Sequence, residues 1–592
     1  MNTQQRWGLD RVRIGGASGF WGDSATGPVQ LVQSGEVDYL VFDYLSELTM
    51  SLLAAARLKD PALGYATDFV ANAMRSVLKD ALARGIRIIA NAGGVNPRAC
   101  ADALAGLAAE LGVAVRIAVV EGDDVMPQLP ALRAEGLALP DRILSANAYL
   151  GALPIRRALD AGADVVITGR CVDSAVTLGA LLHEFDWRMD DYDKLAAASL
   201  AGHLIECGCQ GVGGLHTDWE AVPDWAHSGY PVVECRPDGA FFITKPAGSG
   251  GLVTPATVAE QLLYEIGDPA RYILPDVVCD FTAVTLAQDG PDAVQVRGAR
   301  GYPPTPTYKV TATYADGYRC NAQLTVVGFD AARKARRTAE AILERTRELF
   351  AQHGLGDFSA THVEALGAAF SYGPHAPQQP WFEAVMWLAV THPDKRALEL
   401  FAREIAPAGT SWAPGTTGAA GRPAVSPSIR QAGFLLDKER LVPSYALMDE
   451  GGLAMPVPAW PGWDGDTPVA ARYHDAATAP AGGVLVPLIR LAYARSGDKG
   501  DISNIGVIAR KPAYLPLLRA QLTERAVAAH LAHLVQGTVT RFDVPGIHAL
   551  NFVCGQALGG GGMASLRHDA LGKGMAQVLL AMMVRVPAHF DI

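Results

Sequence analysis

The feature that most narrows the fold is a rhythm in the first third of the chain. Short apolar runs alternate there with helix-patterned stretches. The runs are Arg11–Gly15, Tyr39–Phe42, Ile86–Ala90, Val113–Val120, Arg142–Ser145 and Asp164–Thr168, and the helical stretches include Leu48–Leu58, Asp68–Ala83, Ala99–Leu111 and Ser174–Phe185. A helix between two strands is a crossover, and crossovers make successive strands parallel. The runs are continuously apolar, as in strands covered on both faces. The reading is an α/β fold whose N-terminal domain, residues 1–230, is a parallel sheet with helices on both faces. An open doubly wound sheet is preferred, and a distorted barrel is the alternative.

Each run ends in polar or glycine-rich sequence. Strand one enters Gly15-Gly-Ala-Ser-Gly-Phe-Trp-Gly-Asp23, strand two enters Asp43 with Glu47 a turn later, and strand three enters Asn91-Ala-Gly-Gly-Val-Asn-Pro97. Strands four to six enter Glu121-Gly-Asp-Asp124, Asn147-Ala-Tyr149 and Gly169-Arg-Cys-Val-Asp-Ser174. In parallel α/β sheets the ligand crevice lies outside the carboxyl ends of the strands. These positions are therefore the candidate site. Asp43, Glu47, Glu121, Asp123 and Asp173 are candidate bases, or oxygen ligands for a hard divalent cation such as Mg2+, whose involvement stays open. Asn91 and Asn147 would polarise a carbonyl, and Arg170 would clamp a carboxylate or phosphate. Gly15, Gly16, Gly19, Gly93, Gly94 and Ser174 would let backbone or hydroxyl groups approach the substrate. Taken singly, many of these are ordinary turn and cap residues, Asn96-Pro97 among them.

Several chemistries find no motif. The loop at Gly15 matches neither G-x-G-x-x-G nor Walker A, and Gly16-Ala-Ser-Gly-Phe20 is not a nucleophile elbow. Cys207-Gly-Cys209 lacks a second ligand pair, and the eight cysteines are scattered rather than paired. The net charge of −11 argues against nucleic acid. No apolar run is long enough to span a membrane, so a soluble cytoplasmic protein is expected, with homo-oligomerisation as the prior for its size.

Beyond residue 230 the texture changes. Val277–Thr285, Ala293–Val296, Tyr308–Tyr314 and Arg319–Val327 read as strands, Ala331–Gln352 as a charged helix, and residues 231–405 as an α+β domain. Residues 406–484 are rich in Pro and Gly and read as linker and loops with one helical piece near Pro427–Leu436. Residues 485–592 carry 11 Lys and Arg against 6 Asp and Glu, a basic module on an acidic chain. Its order is strand, strand, helix, strand, strand, helix. Lys245, in the loop Lys245–Gly251, and Ser496, Lys499, Asp501 and Asn504, in the hairpin of the last module, are candidate substrate contacts. The amides of Gly559–Ser565 would suit an anion.

These segments resemble the acyclic terpene utilisation protein AtuA family. The likeness rests on Gly19-Phe-Trp-Gly-Asp23, Phe42-Asp-Tyr-Leu-Ser-Glu-Leu-Thr-Met50, Asn91-Ala-Gly-Gly94, Val120-Glu-Gly-Asp-Asp124, Ser145-Ala-Asn-Ala-Tyr-Leu-Gly151 and Ile167-Thr-Gly-Arg-Cys-Val-Asp-Ser174. Ser496-Gly-Asp-Lys-Gly-Asp501 looks like part of the ferredoxin-like domain that accompanies the family. The resemblance implies citronellol and geraniol catabolism. The activity it implies is a lyase or hydratase acting on a 3-hydroxy-3-alkylglutaryl-CoA type thioester, with CoA as part of the substrate. The alternative is a non-catalytic acyl-CoA-binding or scaffold subunit.

Overall fold

A computed structural model describes residues 10–34, 36–418, 421–463, 465 and 482–588. Six strands lie near the expected places: β1 (Val12–Ser18), β2 (Tyr39–Phe42), β3 (Arg87–Ala90), β4 (Ile117–Glu121), β5 (Ile143–Ala148) and β6 (Val165–Thr168). Five of them form a parallel core in the order β1-β2-β3-β6-β4. All of β2 and β6 is buried, as their unbroken apolar runs require. Helices Glu47–Lys59 and Pro97–Leu111 are among the crossovers, and helix Ala175–Phe185 follows β6.

Two expectations about this sheet need correction. It is mixed rather than parallel. Val232–Cys235, Phe241–Thr244, Val294–Arg297 and Thr285–Gln288 extend it antiparallel beyond β1, and Ser444–Leu447 and Met455–Pro456 extend it beyond β4. The sheet therefore continues past residue 230. The second correction concerns β5, which leaves the sheet altogether. It pairs antiparallel with the 21-residue strand Thr307–Val327. Its sequence explains this: Ser145 and Asn147 alternate with Ala146 and Ala148, a one-faced pattern unlike the apolar runs of its neighbours. The Ser145 and Thr313 hydroxyls share a hydrogen bond of 2.7 Å across that ladder.

The two strands expected at Tyr308–Tyr314 and Arg319–Val327 are this one long strand, with a register shift between Ala315 and Tyr318. Helix Ala331–Gln352, strands Ala360–Leu366 and Glu383–His392, and helix Lys395–Arg403 pack with it. The segment expected to be helical near Pro427–Leu436 is instead a strand, Val425–Asp437, paired along Thr307–Cys320. Pro427 and Gly433 are poor helix residues, and an open strand edge offers its backbone groups partners that solvent-exposed helix does not improve on.

The last module contains the expected strand, strand, helix, strand, strand, helix order, but two strands not expected, Val484–Pro487 and Met583–Val586, pair with each other at its ends. Strands Ala492–Lys499, Ile502–Ala509, Val539–Val544 and Ala549–Cys554 form a four-stranded antiparallel sheet. Helices Leu515–Gln521 and Glu524–His530 interrupt it, and helix Met575–Leu580 follows it. Among the described residues no helix is long and apolar enough to cross a membrane.

Candidate functional site

Three strand ends and one helix end meet at a carboxylate cluster. Asp43 follows β2, Asp173 follows β6, and Glu206 follows helix Tyr192–Ile205. One oxygen from each lies within 4.8 Å of the others. Asn91, at the end of β3, accepts from the Tyr44 amide at 2.7 Å and donates its own amide to Asp43. Asp173 accepts from Arg170 at 2.8 Å. The Arg170 guanidinium is buried, lies 4.1 Å from the centre of the Tyr149 ring, and also holds the Cys171 carbonyl. His203 donates through Nε2 to the Gln261 carbonyl at 3.1 Å and faces Glu206 through Nδ1 at 3.0 Å.

Burial pushes the Asp43 pKa well above the usual carboxylate range, and the neighbouring charges of Asp173 and Glu206 push it further than Arg170 and Asn91 can offset. Burial likewise raises Glu206 against the pull of His203. Carboxyl groups of raised proton affinity packed this closely share protons among themselves, which suits a site to acid and base work together.

One wall of the site is cationic. Tyr149 donates its hydroxyl to Glu47 at 2.6 Å, and Lys309 lies 3.4 Å from the same oxygen. Burial opposes ionisation of Glu47, but Lys309, Arg170 and the Tyr149 hydroxyl hold its pKa well below the carboxylate range. Lys499 reaches in from the hairpin of the last module. Burial opposes its charge too, yet Tyr272, Glu265, Asp173 and Glu47 together hold its pKa above the ordinary lysine value. Asp173, Glu206, His203, Tyr149, Lys309 and Lys499 border a cavity of about 400 Å³. Ser174 lines it as well, while Ile273, Leu274 and Leu435 form an apolar side.

The other candidate residues lie elsewhere. Glu121 is bound by Arg98, at 3.0 Å from Nε and 2.6 Å from Nη2. Asp123 accepts from the Arg170 amide at 2.9 Å and from Asn147 at 2.8 Å, beneath the cluster rather than in it. Its burial lifts its pKa to about 6. Gly15, Gly16 and Gly19 are packing positions, where a Cβ would meet Leu31, the Ile205 carbonyl and the Cys207 backbone respectively. A Cβ on Gly93 would meet Thr168 and Pro97, and Gly94 has φ +55° against Leu53. Lys245 pairs with Asp292 at 3.0 Å and donates to the Ser249 carbonyl at 2.7 Å. Ser496 donates to the Gly572 carbonyl at 2.6 Å and accepts from the Ala576 amide at 2.9 Å. Asp501 accepts from the Leu558 and Gly560 amides, occupying the glycine-rich loop read as an anion site. Asn504 docks the module on the body: it accepts from the Glu265 amide at 2.8 Å and donates to the Leu263 carbonyl at 2.6 Å. The buried Cys171 thiol is pushed up to about 12, so it is not a nucleophilic thiolate at neutral pH.

Residues 12–447 match the family model of the acyclic terpene utilisation family protein AtuA. The chain belongs to the AtuA family. Residues 486–585 match the AtuA ferredoxin-like domain. No curated protein and no solved structure matches the chain. In this AtuA-family chain the first match supplies the carboxylates, Arg170 and Lys309, and the ferredoxin-like domain supplies Lys499. Sequence reasoning did not select His203, Glu206, Lys309, Arg271 or Tyr272. Glu206 had a readable signal, the first acid after a long apolar helix and before a glycine-rich loop. Lys309 had none, because a lysine on a strand reads as an outward solvated face.

Proposed function

We propose that this AtuA-family chain, whose family places it in acyclic terpene utilisation, is a lyase or hydratase acting on a 3-hydroxy-3-alkylglutaryl-CoA type thioester. The observation that carries the reading is the carboxyl cluster of raised proton affinity, whose Asp173 and Glu206 share one cavity with Lys309 and Lys499 while Arg170 holds Asp173 from behind. In cleavage, the ionised carboxylate of the cluster takes the proton of the tertiary hydroxyl. The C–O bond becomes a ketone, the C2–C3 bond breaks, and its electron pair passes to the thioester α-carbon as an enolate. Arg170 and Lys309 offset that developing charge, and the protonated carboxyl of the cluster returns a proton to carbon. In hydration or dehydration the same pair divides the work: one carboxyl protonates the leaving hydroxyl while the other takes the C2 proton.

The test is turnover of a synthetic 3-hydroxy-3-alkylglutaryl-CoA followed by mass spectrometry, with added Mg2+ and with chelator. The expected result is a shorter thioester with a 3-oxo acid, or a thioester lighter by one water, lost in Asp43→Asn and Glu206→Gln. Thioester binding without turnover under any condition would overturn the catalytic reading and favour a non-catalytic acyl-CoA-binding subunit.

A further inference from the structure

The cavity carries more than a reaction centre. Ile273 and Leu435 are 50% and 69% exposed, and both face it. They come from distant parts of the chain, Ile273 from the two-residue strand Tyr272–Ile273 and Leu435 from the strand Val425–Asp437. Leu435 is directly opposite Lys309 in the antiparallel ladder, so the two side chains share the cavity face. Val172 and Leu274 continue the apolar strip between them. Large aliphatic side chains held open to a cavity are an unmet hydrophobic surface. On the same cavity, the Lys499 and Arg271 side chains make no ion pair or hydrogen bond among the described residues, although Glu265, Asp173 and Glu47 are near enough to favour the Lys499 charge. An apolar strip facing cations without a direct partner is complementary to one kind of ligand, an anion bearing an aliphatic branch.

We infer that Val172, Ile273, Leu274 and Leu435 form a subsite for the alkyl branch of a carboxylate ligand whose anionic end is held by Lys499 and Arg271. This rests on the proposed function and adds the residues that set chain-length preference. A pocket of about 400 Å³ suits the acyl part of a thioester, and the nucleotide of CoA stays outside it. The 3-alkyl branch therefore lies on the Ile273–Leu435 strip, and the free carboxylate meets the two cations.

Free 3-alkylglutarates, from methyl to hexyl, are the probe, titrated by calorimetry into the full chain. Affinity should rise about fourfold for each added CH2 that the strip buries. In Leu435→Asn and Ile273→Asn, both at exposed positions and both uncharged, that dependence should flatten while 3-methylglutarate binding falls no more than the lost contact with its single methyl requires. Lys499→Ala and Arg271→Ala should weaken all members equally. A chain-length dependence unchanged in both asparagine variants, or no dependence in the wild type, overturns the inference. Because the probes contain no thioester, chain-length-dependent binding without turnover of the thioester would sink the proposed reaction and leave this subsite standing. Turnover without such binding would do the reverse.

Discussion

Arg495→Met should loosen the ferredoxin-like domain from the body and pull Lys499 out of the cavity. Arg495 is buried and reaches across the junction. It donates to Gln261 Oε1 at 3.0 Å and to the Gly214 carbonyl at 2.6 Å, and it pairs with Glu260 at 3.3 Å. Glu260 is fully buried and also receives His216 at 2.8 Å and the Thr217 amide at 3.1 Å. Methionine fills similar volume but removes the guanidinium, leaving a buried carboxylate short of its main cation. Breaking one side of such a pair costs about 3–5 kcal/mol. That is a factor of about 150 to 5,000 in the docked-to-undocked ratio. Lys499 is four residues further along the same strand, Ala492–Lys499, so its position depends on this junction. Hydrogen exchange of the Ala492–Ala509 hairpin reads the local opening directly, which a melt of a chain this large would not isolate. The Arg495→Met, Glu260→Gln double variant removes the orphaned charge and should recover about 2 kcal/mol or more of the loss. Unchanged hairpin protection in the single variant, or a double variant as unprotected as the single one, would refute this account of the junction.

Asp123→Asn should raise stability above pH 6. One oxygen of Asp123 accepts both of its hydrogen bonds, from Asn147 and from the Arg170 amide, and an amide oxygen there keeps them. The wild-type carboxyl titrates near 6 when folded, against 3.8 for an unperturbed aspartate. Below about pH 4 both states hold the proton and the proteins agree. As pH rises to 6 the unfolded chain releases its proton first, so wild type loses about 3 kcal/mol relative to the variant and stays there. A melting-temperature difference that does not grow across that window contradicts the assignment. Gly16→Ala should cost about 1–3 kcal/mol through collision with the Ile205 carbonyl, and should weaken catalysis because Glu206 is the next residue. Melting curves and kcat together check it, and an alanine variant with wild-type stability would remove the packing argument. Glu206→Gln and Asp43→Asn should lower kcat by at least about a hundredfold with little loss of melting temperature, as circular dichroism and turnover assays would show.

Much of the candidate site was legible because its signals are local. Asp43, Asn91, Arg170 and Asp173 each follow a strand that the chain announces by an apolar run, and parallel strands bring such ends to one edge. The same logic selected Glu121 and Asp123, which line a different cavity, of about 460 Å³, together with Asn147. Whether an acid at a strand end faces ligand or is taken by Arg98 or a backbone amide depends on neighbours the local sequence does not name. The glycines show the same limit, since loop glycine and packing glycine look alike until the residue opposite is known.

Periodicity and motif within short windows were enough to specify the parallel core, helix Ala331–Gln352, the inner elements of the last module and family membership. Three other features emerge only in the assembled fold. Strand β5 leaves the sheet, Pro427–Leu436 is strand, and Lys309, Leu435 and Lys499 face one cavity with Glu206. The physical reason is pairing. A strand edge satisfies whichever backbone reaches it, and cross-strand neighbours such as Lys309 and Leu435 are 126 positions apart by their own numbering. Contacts of that range are set by the assembled sheet and not by any property of the segments that make them.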